Sequence, residues 1–101
     1  MAPQAKHWCY TSFNMEIEPL WLDNVMEYMV YQKEMAPTTG QQHWQGYVCF
    51  KKKRSLNWLK GNVDSTAHWV ICKGTPAQNY EYCTKLDTRV EGSLPVVYGI
   101  E

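Results

Sequence analysis

YMVYQKEMAPTTGQQHWQGYVCF, residues 28–50, reads as two strands and the loop that joins them. Tyr28 to Glu34 is a breaker-free run with aromatic and β-branched residues. Met35–Gln42 holds Pro37, Thr38, Thr39 and Gly40, the composition of an exposed connection. The strand pattern resumes at His43 and lasts to about Phe50, so a hairpin is the natural arrangement. Alternation along the second strand then assigns its faces. His43 and Gln45 point one way, and Trp44 points the other, into a core.

Working outward, His7 to Phe13 suits an earlier strand, with Trp8, Tyr10 and Ser12 on one face. Pro19 opens a short helix in which Leu20, Trp21, Val25 and Met26 share a side, and the pattern hands over to strand near Tyr28. Beyond the hairpin, Ser55 is placed to cap a helix through about Gly61 that buries Leu56, Leu59 and Trp58. Thr66 to Cys72 gives a fourth strand. Thr75-Pro76, as N-cap and first helical position, starts a helix reaching about Leu86. Val96 to Tyr98 permits a last strand. Strand, helix, hairpin, helix, strand, helix, strand is the order of an α+β domain with an antiparallel sheet.

The chain has 101 residues and a formal net charge of zero. That length suits one domain around one core, and that charge removes any whole-molecule attraction to nucleic acid. Attraction has to be local, and Lys51, Lys52, Lys53 and Arg54 form the one cluster that can supply it. Four consecutive basic residues fit a solvated turn, a nuclear-import patch or a DNA contact. The longest apolar runs, Leu20–Leu22 and Met29–Tyr31, are far too short to cross a bilayer, and the first residues lack the apolar run of a secretory signal. A soluble intracellular protein with no membrane partner is expected. Cys9, Cys49, Cys72 and Cys83 include no Cys-x-x-Cys pair, so the expectation is reduced thiols that pack, with neither zinc nor disulfide.

Two constellations carry chemistry. His43 and Gln45 offer an imidazole nitrogen and an amide oxygen from one rigid strand. Glu34, at the end of the partner strand, offers the charged oxygen that a divalent ion needs. A solvated strand face carries the same residue types. The other constellation is Tyr82-Cys83-Thr84-Lys85, whose first and last residues stand on one helical face, with Gln78 a turn earlier, so that phenol and ammonium reach one phosphate. Neutral phenol is a poor nucleophile, since a tyrosine in water is ionised in about one molecule in a thousand at pH 7. A nearby lysine and a metal ion lower that cost. An amphipathic helix with a half-buried ring and a solvated lysine has the same spacing. Tyr80 and Tyr98 lack a lysine three residues later and read as structural.

Three blocks, in this order, resemble the replication-initiator (Rep) proteins of small circular single-stranded DNA viruses, the circoviruses, nanoviruses and geminiviruses, within the HUH endonuclease superfamily. Trp8-Cys9-Tyr10-Thr11-Ser12-Phe13-Asn14 resembles the first motif, associated with origin recognition. His43-Trp44-Gln45-Gly46-Tyr47 resembles the second, metal-binding motif, and Tyr82-Cys83-Thr84-Lys85 the third, whose tyrosine attacks DNA. Between and beyond them, His68 to Gly74 and Asn79-Tyr80-Glu81 are similar to circovirus initiators, and Asp87 to Gly92 to nanovirus ones. Glu34 stands where those families place the third metal ligand.

The resemblance implies a five-stranded antiparallel sheet flanked by helices, an RRM-like fold, which agrees with the strand count above. It implies an enzyme that nicks and rejoins single-stranded DNA to start rolling-circle replication. In that reading Tyr82 is the nucleophile, Lys85 its phosphate partner, and Glu34, His43 and Gln45 hold Mg2+ or Mn2+. Tyr10, Thr11 and Asn14 of the first motif join Lys51, Lys52, Lys53 and Arg54 as DNA contacts. The expected partner is single-stranded DNA at a replication-origin stem-loop, and the expected place is the host nucleus. Family proteins continue into an ATP-driven helicase domain. No Gly-x-x-x-x-Gly-Lys phosphate loop occurs here, so residues 1–101 are expected to be one endonuclease domain, with oligomers only in a longer, helicase-bearing protein.

The first motif departs from the family's Phe-Thr-Leu-Asn-Asn: Ser12 takes the leucine position and Phe13 the first asparagine, which bears on origin contacts. His68 reads as a strand residue satisfied by its neighbours or a DNA contact, and Asp87 as a solvated loop residue or a charge near the metal. Trp21, Trp58 and Trp69 are assigned to packing, with room for one exposed ring to stack a base. A different class also fits an antiparallel sheet with surface aromatics: a nucleic-acid-binding module without chemistry. Such a module needs stacking rings on its open face but no convergence of Glu34, His43 and Gln45 beneath Tyr82.

Overall fold

The computed structural model describes residues 3–99. Five strands and two helices follow in the order β1 (Gln4–Ser12), β2 (Met26–Met35), β3 (Gln42–Ser55), α1 (Leu56–Asn62), β4 (His68–Ile71), α2 (Pro76–Cys83) and β5 (Val96–Gly99). They form one five-stranded sheet, ordered β4-β1-β3-β2-β5, and every neighbouring pair is antiparallel. The α+β architecture is the expected one. The long strand β3 lies at the centre, between β1 and β2.

One face of the sheet is the core. Trp8, Tyr10, Met29, Tyr31, Trp44, Val48, Phe50 and Trp69 bury there against Leu59 of α1, with tryptophan and tyrosine rings meeting edge to face at Tyr10–Trp69 and Tyr31–Trp44. Gly46 sits where β2 and β3 pack closely. A Cβ on it would lie 3.0 Å from the Cβ of Tyr31 and 3.1 Å from the carbonyl oxygen of Val30, so a side chain there would push β2 and β3 apart by a few tenths of an ångström. The opposite face carries α2, seated through Cys83 on Tyr28, Val30 and Tyr47.

Both helix starts form as their sequences specify. Ser55 Oγ accepts the amide of Trp58. Thr75 and Gln78 make a reciprocal capping box with Pro76 in the first turn.

Four local expectations are corrected. Residues 19–26 form no helix: the chain passes through a turn at Asp23–Val25, with the amides of Val25 and Met26 both donating to the carbonyl of Leu22. Asp23-Asn24 favours a turn, and the apolar spacing serves to lay Trp21 on Tyr98 and Leu22 and Val25 on the core. Strand β3 continues through the basic cluster to Ser55, where four residues, Phe50 to Lys53, oppose Lys6 alone between the pairs His7–Cys49 and Ala5–Arg54. The last helix stops at Cys83 with Thr84 as its C-cap, short of Leu86.

Finally, Cys9 and Cys72 are joined as a disulfide, whereas four reduced thiols were expected. Adjacent antiparallel strands bring two cysteines 63 residues apart onto the same face, with Cα atoms separated by 5.3 Å. That proximity is tertiary and leaves no trace in the spacing. Cys49 and Cys83 remain free. Among the described residues no helix is long and apolar enough to cross a membrane.

Candidate active site

The hairpin register builds the floor of the site. Glu34 lies directly opposite His43, and Gln32 directly opposite Gln45, while Thr11 of β1 flanks Gln45 from the other side. Side chains opposite one another in an antiparallel pair share a face. Five polar residues from three strands thus form a continuous patch on the face away from the core. Sheet geometry alone assembles it, with no loop involved.

Glu34 is the hub and is only 3% exposed. Its Oε1 lies 3.3 Å from His43 Nε2. Its Oε2 accepts from Lys85 Nζ at 2.9 Å and from Gln32 Nε2 at 3.0 Å. Burial by itself would raise the carboxyl's pKa, but the hydrogen bonds from Lys85 and Gln32 and the charges of Lys85 and His43 outweigh it. Glu34 is held below the usual carboxylate range and stays ionised. The same charge, after burial itself, pushes the thiol of Cys83 up to about 12, so that cysteine is a packing group and no rival nucleophile.

Lys85 follows the end of α2, and the turn there redirects its side chain. Its ammonium stands 4.0 Å from the centroid of the Tyr82 ring while bound to Glu34. Tyr82 itself, on the last turn of α2, is 54% exposed. The phenol is therefore presented to solvent beside a fixed cation. Tyr80, two residues earlier and so on a different side of α2, accepts through its carbonyl from Thr84 Oγ1 at 2.8 Å. Arg89 ties the segment down, donating to Gln32 Oε1 at 3.0 Å and to the carbonyl of Thr84 at 2.7 Å.

The donor set can be weighed against a divalent ion. Two donors bound side by side to an ion with bonds of about 2.1 Å lie about 3 Å apart in an octahedral arrangement, close to the 3.3 Å between Glu34 and His43. The second ring nitrogen of His43, Nδ1, is buried without a hydrogen-bond partner. Gln45 Oε1 accepts from Thr11 Oγ1 at 3.0 Å and keeps a lone pair for a further partner. Among the described residues no three His, Cys, Asp or Glu side chains gather in one place, so a third side-chain ligand here would be an amide or a hydroxyl, and Gln45 Oε1 offers a lone pair. The carboxylate and amide oxygens are donors of the kind that magnesium and manganese take, and the imidazole adds one nitrogen.

Of the residues singled out from sequence, the structure brings Glu34, His43, Gln45, Thr11 and Lys85 together at one site, with Tyr82 at its edge. Tyr10 does not join them. Its ring is 1% exposed and its hydroxyl donates to Asp64 Oδ2 at 2.7 Å, because strand alternation sends it to the core face; it is no DNA contact. Asn14 lies just past β1 and accepts the amide of Glu16. Lys51, Lys52 and Lys53 are exposed. Arg54 turns back, its guanidinium 4.0 Å from the Trp58 ring centroid, which withdraws it from the cationic patch. Gln78 is committed to its helix cap and does not accompany Tyr82. His68 and Asp87 are exposed.

Gln32 and Arg89 were missed. Gln32 precedes Glu34 by two on a strand, the spacing that places both on one face, so its part was open to a stricter reading of the alternation. Arg89 arrives from a loop 57 residues away in sequence and had no such signal.

A family model described as "Putative viral replication protein" matches residues 5–86. The Para-Rep C2 of Milk vetch dwarf C2 alphasatellite is 42% identical over 101 residues, spanning 94% of this chain and 36% of that protein. The master replication protein of Milk vetch dwarf virus (isolate N) is 40% identical over 99 residues, 98% of this chain and 33% of that protein. The replication-associated protein of Pigeon circovirus is 36% identical over 101 residues, 95% of this chain and 30% of that protein. The chain spans about a third of the length of these curated relatives. The matched residues take in all three sequence blocks and the polar patch they build, and the chain belongs to the viral replication protein family.

Proposed function

We propose that this chain cuts and rejoins single-stranded DNA, through a covalent link to Tyr82, at the start of rolling-circle replication of a small circular genome. The observation that carries the reading is the arrangement of Tyr82, Lys85 and Glu34: an exposed phenol beside an ammonium that a buried carboxylate holds in place. The relatives' names, replication-associated and master replication proteins, support the biological setting.

In the proposed reaction the phenolic oxygen of Tyr82 attacks the scissile phosphorus in line with the departing 3′ oxygen. An O–P bond to tyrosine forms and the P–O3′ bond breaks. The phenolic proton is lost and the 3′ oxygen gains one, so the upstream fragment ends in a 3′ hydroxyl and the downstream fragment stays on the enzyme by its 5′ phosphate. Lys85 orients the phosphate and offsets the charge that develops on it. Glu34, His43 and Gln45 would hold a magnesium or manganese ion, which when bound supplies Lewis-acid polarisation of the phosphate. One diester replaces another, so the reverse attack by a 3′ hydroxyl rejoins the strand without ATP. The exposed Lys51, Lys52 and Lys53 serve as phosphate contacts for the flanking strand. The substrate is the unpaired DNA of an origin stem-loop, and the site of action is the host nucleus.

The test is incubation with single-stranded DNA and manganese, followed by a denaturing gel. Wild type is expected to give a protein–DNA band and a released fragment that a polymerase extends from its 3′ end. Tyr82→Phe is expected to give neither while melting like wild type, and Tyr80→Phe to remain active. An adduct formed by Tyr82→Phe, or one that retains the upstream fragment, would overturn the mechanism.

A further inference from the structure

Trp8 and Tyr10 of β1 are buried in the core, Trp69 is buried beside them, and Trp21 and Trp58 pack against Tyr98 and Phe50. Phe13, which follows β1 directly, is 56% exposed. It ought to point away from the core, because strand alternation puts it two residues beyond Thr11 of the polar patch. An exposed phenylalanine needs no explanation by itself; its address does. The ring centroid lies 5.5 Å from that of His43, with the planes tilted by 50°. A large apolar surface thus stands open to solvent against a residue of the polar patch.

We propose that Phe13 is a stacking platform for one unpaired base of the DNA, the base next to the phosphate that is cut. The inference rests on the function proposed above and adds to it the residue that sets the strand's register. Phe13 has no polar group with which to read a base edge, and so the contact is to a π-face, which all four bases present. Its closeness to His43 puts the stacked base within one nucleotide of a phosphate held at the Glu34–His43 patch. Holding that base fixes which phosphate faces Tyr82, the positioning that in-line transfer requires. Phe13 acts through substrate placement and makes no bond to the reacting atoms.

A competing role is that the ring only props the imidazole of His43. The two differ when no metal is present, because a ring that only orients His43 toward an ion adds nothing to metal-free DNA binding, whereas stacking persists. The experiment therefore has two arms. In the first, affinity for a fluorescein-labelled oligothymidylate of 15 nucleotides is read by anisotropy in EDTA. Phe13→Leu is expected to weaken binding by roughly 5- to 150-fold, the range for loss of one base–aromatic stack, and Phe13→Trp to keep or improve it. Thermal melts of both variants establish that the fold is retained. Wild-type affinity in Phe13→Leu, or equal losses in the leucine and tryptophan variants, would overturn the proposal.

In the second arm, an oligonucleotide that wild type cuts carries one abasic site, moved stepwise past the cleavage point. Wild type is expected to lose affinity sharply at a single position, and Phe13→Leu to lose nothing more there. If adducts form but no position shows this coupling, Phe13 does not stack and the tyrosine mechanism stands. If wild type forms no adduct with any single-stranded DNA, the mechanism fails, and the first arm still decides whether Phe13 holds a base.

Discussion

The two faces of the sheet are made by the same three strands and obey opposite rules. On one face Trp8, Tyr10, Tyr31, Trp44 and Val48 are buried among each other, held chiefly by apolar contact, with polar atoms only at the ring ends, where Trp8, Tyr10 and Tyr31 donate to Ala5, Asp64 and Glu18. On the other, Glu34, Gln32, His43, Gln45 and Thr11 are bound into a charged, hydrogen-bonded patch, where each group is specified by its partner. His43, Trp44 and Gln45 are consecutive, so a single peptide unit separates the stabilising face from the reactive one. A strand thus lets one residue carry packing while the next carries chemistry.

The largest expected effect tests that division directly. Trp44→Ala should cost about 3–5 kcal/mol in urea unfolding, since it empties a buried site beside Tyr31. His43→Ala should cost about 1 kcal/mol and abolish adduct formation. A His43 variant less stable than the Trp44 variant would break the comparison, because it would make the polar face part of the stabilising core.

An effect of intermediate size comes from within the polar face. Lys85→Ala removes the ammonium that lies 2.9 Å from a buried carboxylate. Leaving Glu34 without that partner should cost about 1–3 kcal/mol, measured without metal. Because the penalty belongs to the stranded charge, Glu34→Gln with Lys85→Ala should be more stable than Lys85→Ala alone. Strict additivity of the two changes would show that the pair is solvated and unimportant to the hub.

The smallest effect belongs to an acidic partner of the core face, the carboxylate that Tyr10 meets. Burial would raise the pKa of Asp64, but hydrogen bonds from Thr66 and Tyr10 and from the amides of Thr66 and Ala67 outweigh it and hold it below the usual carboxylate range. The folded state therefore binds that proton less readily than the unfolded chain. The contribution is complete above the unfolded value near 3.9 and is lost as pH falls through the depressed folded one. It should amount to at most about 1 kcal/mol, as the carboxylate is substantially solvated. Replacing Asp64 by Asn should flatten the fall in stability between about pH 4 and pH 2 without touching adduct formation at neutral pH. An unaltered acid profile would assign that fall to other carboxylates.

Much of this molecule is local in origin. The hairpin, the faces of its strands, the Ser55 and Thr75 caps and the pairing of Glu34 with His43 all follow from residues close in sequence, because period-two alternation and turn chemistry act over a few residues. That is why the polar patch was legible before its geometry was known. Elements that answer to distant neighbours were not. The segment before β2 carries helical spacing, yet it bends to lay Trp21 on Tyr98, a contact 77 residues away. Arg54 belongs to a basic run but folds back on Trp58. Sequence alone determined which residues could bear the chemistry and on which face of a strand each would stand. Only the tertiary structure decided that Cys9 meets Cys72, that Arg89 braces Gln32, and that α2 ends before Lys85, whose ammonium joins Glu34 beside Tyr82. Those contacts depend on where separate strands and loops come to rest, and that is set by burial of the whole core face at once.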